Sequence, residues 1–150
     1  MKAQIKKHIN IIVGESITDL GKAADILWVS IGKKVKVITP RGEREVGTYA
    51  LHLQCKWRLL CSDNVWIDYE DEIENWKSKF ECSQSGFVLP NRILSLYVKH
   101  NGEFHLELEN NWRLEVEINT NLPDQELWRF INSKEDYHMV VLGTGIEIVS

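Results

Sequence analysis

Four side chains that can bind or move protons alternate with apolar ones in one stretch of this sequence. His52, Gln54, Lys56 and Arg58 stand between Leu51, Leu53, Cys55, Trp57, Leu59 and Cys61. A period of two puts the polar set on one face of a strand and the apolar set on the other. An imidazole, an amide and a guanidinium in one row can bind an anion or a polar ligand. With a nearby carboxylate they could also support hydrolase or isomerase chemistry. His52, Gln54 and Arg58 are therefore the candidate ligand-binding residues. The bland alternative is that Arg58 pairs with an acid such as Asp68 on the next strand.

Other constellations carry less. His100 and His105 flank a turn and, with Glu107, would form at best a weak metal site. The close Cys/His pairs of zinc sites are missing, so no metal is expected. Cys82 with His52 or His138 has the residue types of a cysteine hydrolase, but not the flanking signature that activation requires. There is no G-x-S-x-G elbow. Gly143-Thr144-Gly145 is too short for a phosphate loop, so no cofactor is expected. Cys55 and Cys61 would lie about 20 Å apart on an extended strand, too far for a disulfide. With Cys82 they make an odd count, which points to reduced thiols in a cytoplasm.

Charge is unevenly distributed. Met1 to Arg44 holds nine Lys/Arg against four Asp/Glu, and Glu103 to Glu126 holds seven acids against one arginine. Glu103, Glu107, Glu109, Glu115 and Glu117 would project from one side of a sheet. Like charges on adjacent strands repel, and a partner with a basic patch would relieve that repulsion. Glu107, Glu109, Glu115 and Glu117 are the candidate partner contacts, with Trp66 as an aromatic anchor. The competing reading is a solubilising face that discourages edge pairing.

The elements that would position these groups follow from turn signals and periodicity. One hundred and fifty residues fit a single domain, 1–150. Net charge is −4 and the apolar fraction 43%. The acidic balance argues against a general nucleic-acid binder or a membrane-surface protein. No apolar run is long enough to span a membrane. Asn10 and Gly14-Glu15-Ser16 interrupt any secretory signal core.

Ile9 to Val13 reads as a short strand and Ser16 to Gly21 as a turn. Leu27 to Ile31 reads as a strand, followed by a Gly32-Lys33-Lys34 hairpin loop and a strand over Val35 to Thr39. Pro40-Arg41-Gly42 is a turn, Leu51 to Cys61 a central strand, and Val65 to Tyr69 its hairpin partner. Asp71 to Phe80 has helical spacing. Ile93 to Lys99, Phe104 to Leu108 and Trp112 to Ile118 form a three-strand meander around Asn101-Gly102 and Asn110-Asn111. Asp124 would cap a short helix over Gln125 to Asn132, with a strand through Leu127 to Phe130 as the rival. Tyr137 to Leu142 is a strand and Ile146 to Val149 a possible edge strand. The expected class is α+β, predominantly antiparallel β-sheet in hairpins and a meander, with one or two short helices.

The run Ala50-Leu51-His52-Leu53-Gln54-Cys55-Lys56-Trp57-Arg58-Leu59 resembles the central motif of a group of small bacterial proteins without assigned activity. The likeness extends loosely to Gly21–Trp28, to Trp128-Arg129-Phe130 and to His138-Met139-Val140-Val141. It implies a bacterial cytoplasmic protein and transfers no catalytic residue. Taken together, these features lead us to expect a binding protein rather than an enzyme: an immunity-type inhibitor of a secreted toxin such as a basic nuclease, met through the acidic face. A small enzyme or ligand binder using His52 and Arg58 is one alternative. A homo-oligomer joined through Trp66 and the last strand is the other.

Overall fold

Helical periodicity starts the chain where a strand was expected. Ile5, Ile9 and Ile12 recur at helical spacing and all three are fully buried. They lie on α1 (Lys2–Ile9) and the 3-10 turn Asn10–Ile12 that continues it. Lys6, Lys7 and His8 occupy the last helical turn, where positive charge complements the helix dipole. The expected strand over Ile9 to Val13 is thus the end of a helix. Ile11 and Val13, its other apolar residues, face outward.

The computed structural model describes residues 1–72, 87–118 and 124–150. Eleven strands follow α1 among the described residues. They are β1 (Ser16–Ala23), β2 (Ile26–Thr39), β3 (Gly42–Leu53), β4 (Lys56–Cys61), β5 (Asn64–Asp68) and β6 (Asn91–Val98). After them come β7 (Phe104–Leu108), β8 (Trp112–Glu117), β9 (Glu126–Asn132), β10 (Tyr137–Leu142) and β11 (Gly145–Val149). All pair antiparallel in one open sheet, ordered β11-β10-β9-β3-β2-β1-β6-β7-β8-β4-β5. The fold is mainly antiparallel β, as expected, with one short α-helix among the described residues. The expected helix over Asp71 to Phe80 lies, beyond Glu72, outside them. So does Cys82.

Four further sequence expectations are corrected. Ser16 to Gly21 is strand β1, not a turn, because β2 offers it a paired edge from Ile26 to Ile31. Gly21 is needed there. A Cβ on it would fall 2.1 Å from the Trp28 ring, which lies across it. Gly32-Lys33 is a bulge inside one long strand, not a hairpin loop; the register shifts between Ile31 and Lys34, and Gly32 has φ +81°. Gln125 to Asn132 takes the rival strand form as β9, because Leu127, Trp128 and Phe130 are all drawn into the core.

The fourth correction concerns the central stretch. Leu51 to Cys61 is two strands. β3 ends at Leu53 between β2 and β9, and β4 begins at Lys56 between β8 and β5. The Gln54 N–H donates to the Leu127 carbonyl at 2.9 Å at the break. Burial nonetheless alternates without interruption through Leu51, Leu53, Cys55, Trp57 and Leu59.

Two residues, Gln54 and Cys55, thus carry the chain between distant places in the sheet order, which requires the sheet to curl over its own apolar face. Ring contacts across the core show that it does. Trp128 of β9 packs on Phe104 of β7 at 4.7 Å, and the Trp128 Nε1–H donates to the Gly102 carbonyl at 3.0 Å. Gly102, at φ +94°, makes the tight β6–β7 turn that the Asn-Gly pair announces.

Candidate functional site

β2 and β3 outrun their neighbours. β1 pairs with β2 only as far as Ile17 opposite Ile31, and β9 pairs with β3 only as far as Asn132 opposite Tyr49. Beyond those points the pairs from Lys34↔Gly47 to Thr39↔Gly42 form a two-stranded arm. The Pro40-Arg41 turn closes it. The Arg41 N–H donates to Thr39 Oγ1 at 3.2 Å, and the Thr39 hydroxyl donates to the Gly42 carbonyl at 2.8 Å. At its base the Thr48 hydroxyl donates to the Lys33 carbonyl beside the bulge.

A groove of about 490 Å³ lies between this arm and the outer face of the sheet. Register explains its floor. Val29, Leu51 and Phe130 point into the core, so the neighbours Ser30, Ala50 and Ile131 point out. The first two are small and leave a hollow. Val37, Arg44 and Val46 of the arm form the wall, and Trp28 and His52 close one end. The lining is mixed, apolar with a few convergent polar groups, which is the usual character of a binding cleft.

Beside the groove runs a polar chain. Arg129 stands across from His52 in register. Its guanidinium grips Glu126 through Nη2 at 2.6 Å and Nε at 3.3 Å, and its Nη1–H donates to His138 Nδ1 at 2.8 Å. Gln54 Nε2 donates to Glu126 Oε2, the oxygen that Arg129 Nε also reaches, at 2.6 Å. His138 accepts at Nδ1, so the neutral ring carries its proton on Nε2. Burial lowers the pKa of His52, and the Arg129 guanidinium and His138 push the same way. Burial and then Arg129 lower His138 likewise. His8, bonded to the Tyr137 hydroxyl at 2.9 Å, is lowered by burial and Lys7.

These shifts have a consequence for stability. Each histidine binds its proton less readily in the folded chain than at the ordinary value of 6.5. The stability they confer is complete above that value and is lost as the pH falls through the lowered folded values. Urea unfolding is expected to show stability falling between about pH 7 and pH 5. A His52→Gln, His138→Gln double variant is expected to flatten that fall. An equally steep fall in the variant would assign the acid sensitivity elsewhere.

The predicted site residues divide between two places. His52 and Gln54 belong to the groove end and the Arg129 chain. Arg58 lies on β4 in a separate hollow with Glu103, His105, Glu115 and Glu117, so the three do not share one site. Arg58 sits opposite Asp68 in register, yet its guanidinium reaches the other neighbour, β8, meeting Glu115 at 2.6 Å and Glu117 at 2.9 Å.

The acidic row is likewise compensated. Lys56 lies 3.7 Å from Glu117, and Arg113 meets Asp63, Glu115 and Glu107 at 2.8, 3.2 and 3.6 Å. Glu109 is occupied structurally, its carboxylate accepting the Arg92 N–H at 2.9 Å. Trp66 packs edge-on against Trp112 at 5.3 Å and is partly buried. The repulsion expected along this face is relieved within the chain by Lys56 and Arg58 of β4 and Arg113 of β8.

Comparison with family models, curated proteins and solved structures finds no match.

The remaining reactive groups add little chemistry. Burial pushes the Cys55 thiol up to about 12, which keeps it protonated and unreactive. Cys61 is also a free thiol. His105 stacks on Tyr97 and reaches Glu107 at 3.5 Å. Among the described residues no three His, Cys, Asp or Glu side chains are placed to hold a metal ion. No helix among them is long and apolar enough to cross a membrane. Sequence reasoning did not single out Glu126 or Arg129 as site residues, nor the extension of β2 and β3 beyond their neighbours. The strand at Val35 to Thr39, the Pro40-Arg41-Gly42 turn and the basic excess before Arg44 pointed toward the arm, but none of them showed that it outruns its neighbours.

Proposed function

We propose that this chain is a binding protein that captures a protein partner in the groove beneath the β2–β3 arm. The groove carries this reading. It is concave, it lies on the face turned away from the core, and its Ser30–Ala50–Ile131 floor gives a partner side chains room to enter. The ion pairs of Lys56, Arg58 and Arg113 favour the groove over the acidic row, because a paired carboxylate offers an incoming basic group less than a free one. Among binding roles, immunity-type neutralisation of a secreted toxin is the one that small size and acidic balance support.

The test is a titration of the purified chain against the product of the reading frame beside its gene. Saturable 1:1 binding, with loss of that product's toxicity, supports the reading. If a toxin-like neighbour fails to bind, the immunity role falls. A joint small-ligand role for His52, Gln54 and Arg58 is less well supported, since Arg58 is committed to Glu115 and Glu117 in another hollow.

A further inference from the structure

The arm has two exposed edges, and charge distinguishes them. β1 occupies the place beside β2 up to Ile31; from Lys34 to Thr39, among the described residues, β2 has only β3 for a neighbour. That stretch is about 20 Å long at roughly 3.3 Å per residue, enough to template one added strand. Its edge carries Lys33, Lys34 and Lys36 and no acid. The opposite edge, Gly42 to Gly47, carries Glu43, Arg44 and Glu45. An acidic segment would be drawn to the first edge and opposed at the second.

We infer that the β2 edge of the arm docks an extended acidic segment of a protein partner, which joins the sheet as a strand in the place β1 vacates. The inference rests on the reading that the chain binds a protein. Side-chain alternation defines the segment further. Val35 and Val37 lie on one face of the arm, and Lys34, Lys36 and Ile38 on the other. A segment alternating acidic and apolar residues would match both faces. Lys36 is available, because its link to Glu43 is a 3.9 Å contact between two largely exposed groups. Ile38, 92% exposed on the strand's last turn-ward residues, offers an apolar contact that a folded monomer otherwise leaves in water. The same exposed apolar side chain favours a protein segment over a phosphate backbone, which has no apolar side chain to set against it.

A fluorescein-labelled Glu-Val-Glu-Val-Glu peptide, followed by polarisation, tests this on the full chain. A Lys-Val-Lys-Val-Lys peptide and a short DNA duplex are run in parallel. The acidic peptide is expected to bind with Kd below about 100 µM. Binding should weaken several-fold between about 50 and 300 mM salt. A Lys34→Glu, Lys36→Glu variant, shown to be folded by circular dichroism, should weaken it at least about tenfold, the loss of two close charge pairs. Hydrogen exchange should slow at 34–39 and not at 43–47. Absence of binding up to about 1 mM, or stronger binding of the lysine peptide or the duplex, overturns the inference. Protection confined to Ala50 and Ile131 overturns the edge while leaving the groove standing. Failure of the neighbouring gene product to bind, with peptide binding intact, removes the partner's identity and not the edge.

Discussion

Replacing Trp128 with alanine is expected to lower the free energy of unfolding by about 4 kcal/mol, within the range for large aromatic truncations in a core. The ring is fully buried. It joins β9 to the β6–β7 turn across the apolar interior through Phe104 and the Gly102 carbonyl. Truncation leaves a cavity and, in addition, a buried carbonyl without its donor, which costs about 1–3 kcal/mol if nothing replaces it. Trp128→Phe separates the two terms, since it keeps most of the apolar volume and loses the hydrogen bond. It should cost about 1–2 kcal/mol. The readout is the urea midpoint at unchanged slope. An alanine variant costing less than about 1 kcal/mol would mean that β9 and the β6–β7 turn do not close on this ring.

Filling the groove should damage binding while leaving stability nearly unchanged. Ala50 stands between Ser30 and Ile131 on the outer face, half-buried. Ala50→Trp would place an indole in the hollow without touching Leu51 or Phe130 on the core side. Partner affinity is expected to fall about 100-fold, equivalent to about 2.7 kcal/mol. The thermal midpoint should move by no more than a few degrees, as for surface changes outside the core. Glu107→Gln with Glu117→Gln is the matched control on the acidic row and should change affinity less than about threefold. The reverse pattern, with Ala50→Trp silent and the glutamine pair disabling, would return the docking surface to that row.

Local chemistry was legible and neighbourhood was not. Pro40-Arg41-Gly42 and Asn101-Gly102 announce their turns because few residues suit such backbones, and both turns stand where expected. The strands at Phe104 and Trp112 follow from alternation on a single face, and those at Val65 and Tyr137 from short apolar runs bounded by turns. The same alternation concealed the break at Gln54–Cys55. Burial keeps its period of two across it, while the strands on either side change completely. That change is a property of the sheet order.

Arg58 shows the cost of not knowing the order. One strand away it could meet Asp68 on one side or Glu115 on the other, and only the β8 pairing reveals where it goes. The groove was hidden for a related reason. Ser30, Ala50 and Ile131 are distant in the chain, and small residues on a solvent-facing row carry no periodic signal. α1 was misread because the apolar count began at Ile9 and left out Ile5, which completes the helical spacing.

The most direct test is a hydrogen-exchange footprint of the chain bound to the product of the neighbouring reading frame. A partner seated under the arm should slow exchange in β2 from Lys34 to Thr39 and around Ala50 and Ile131, and leave β7 and β8 unchanged. Protection centred on Glu107, Glu115 and Glu117, with the arm exchanging as in the free chain, would contradict the groove as the binding surface.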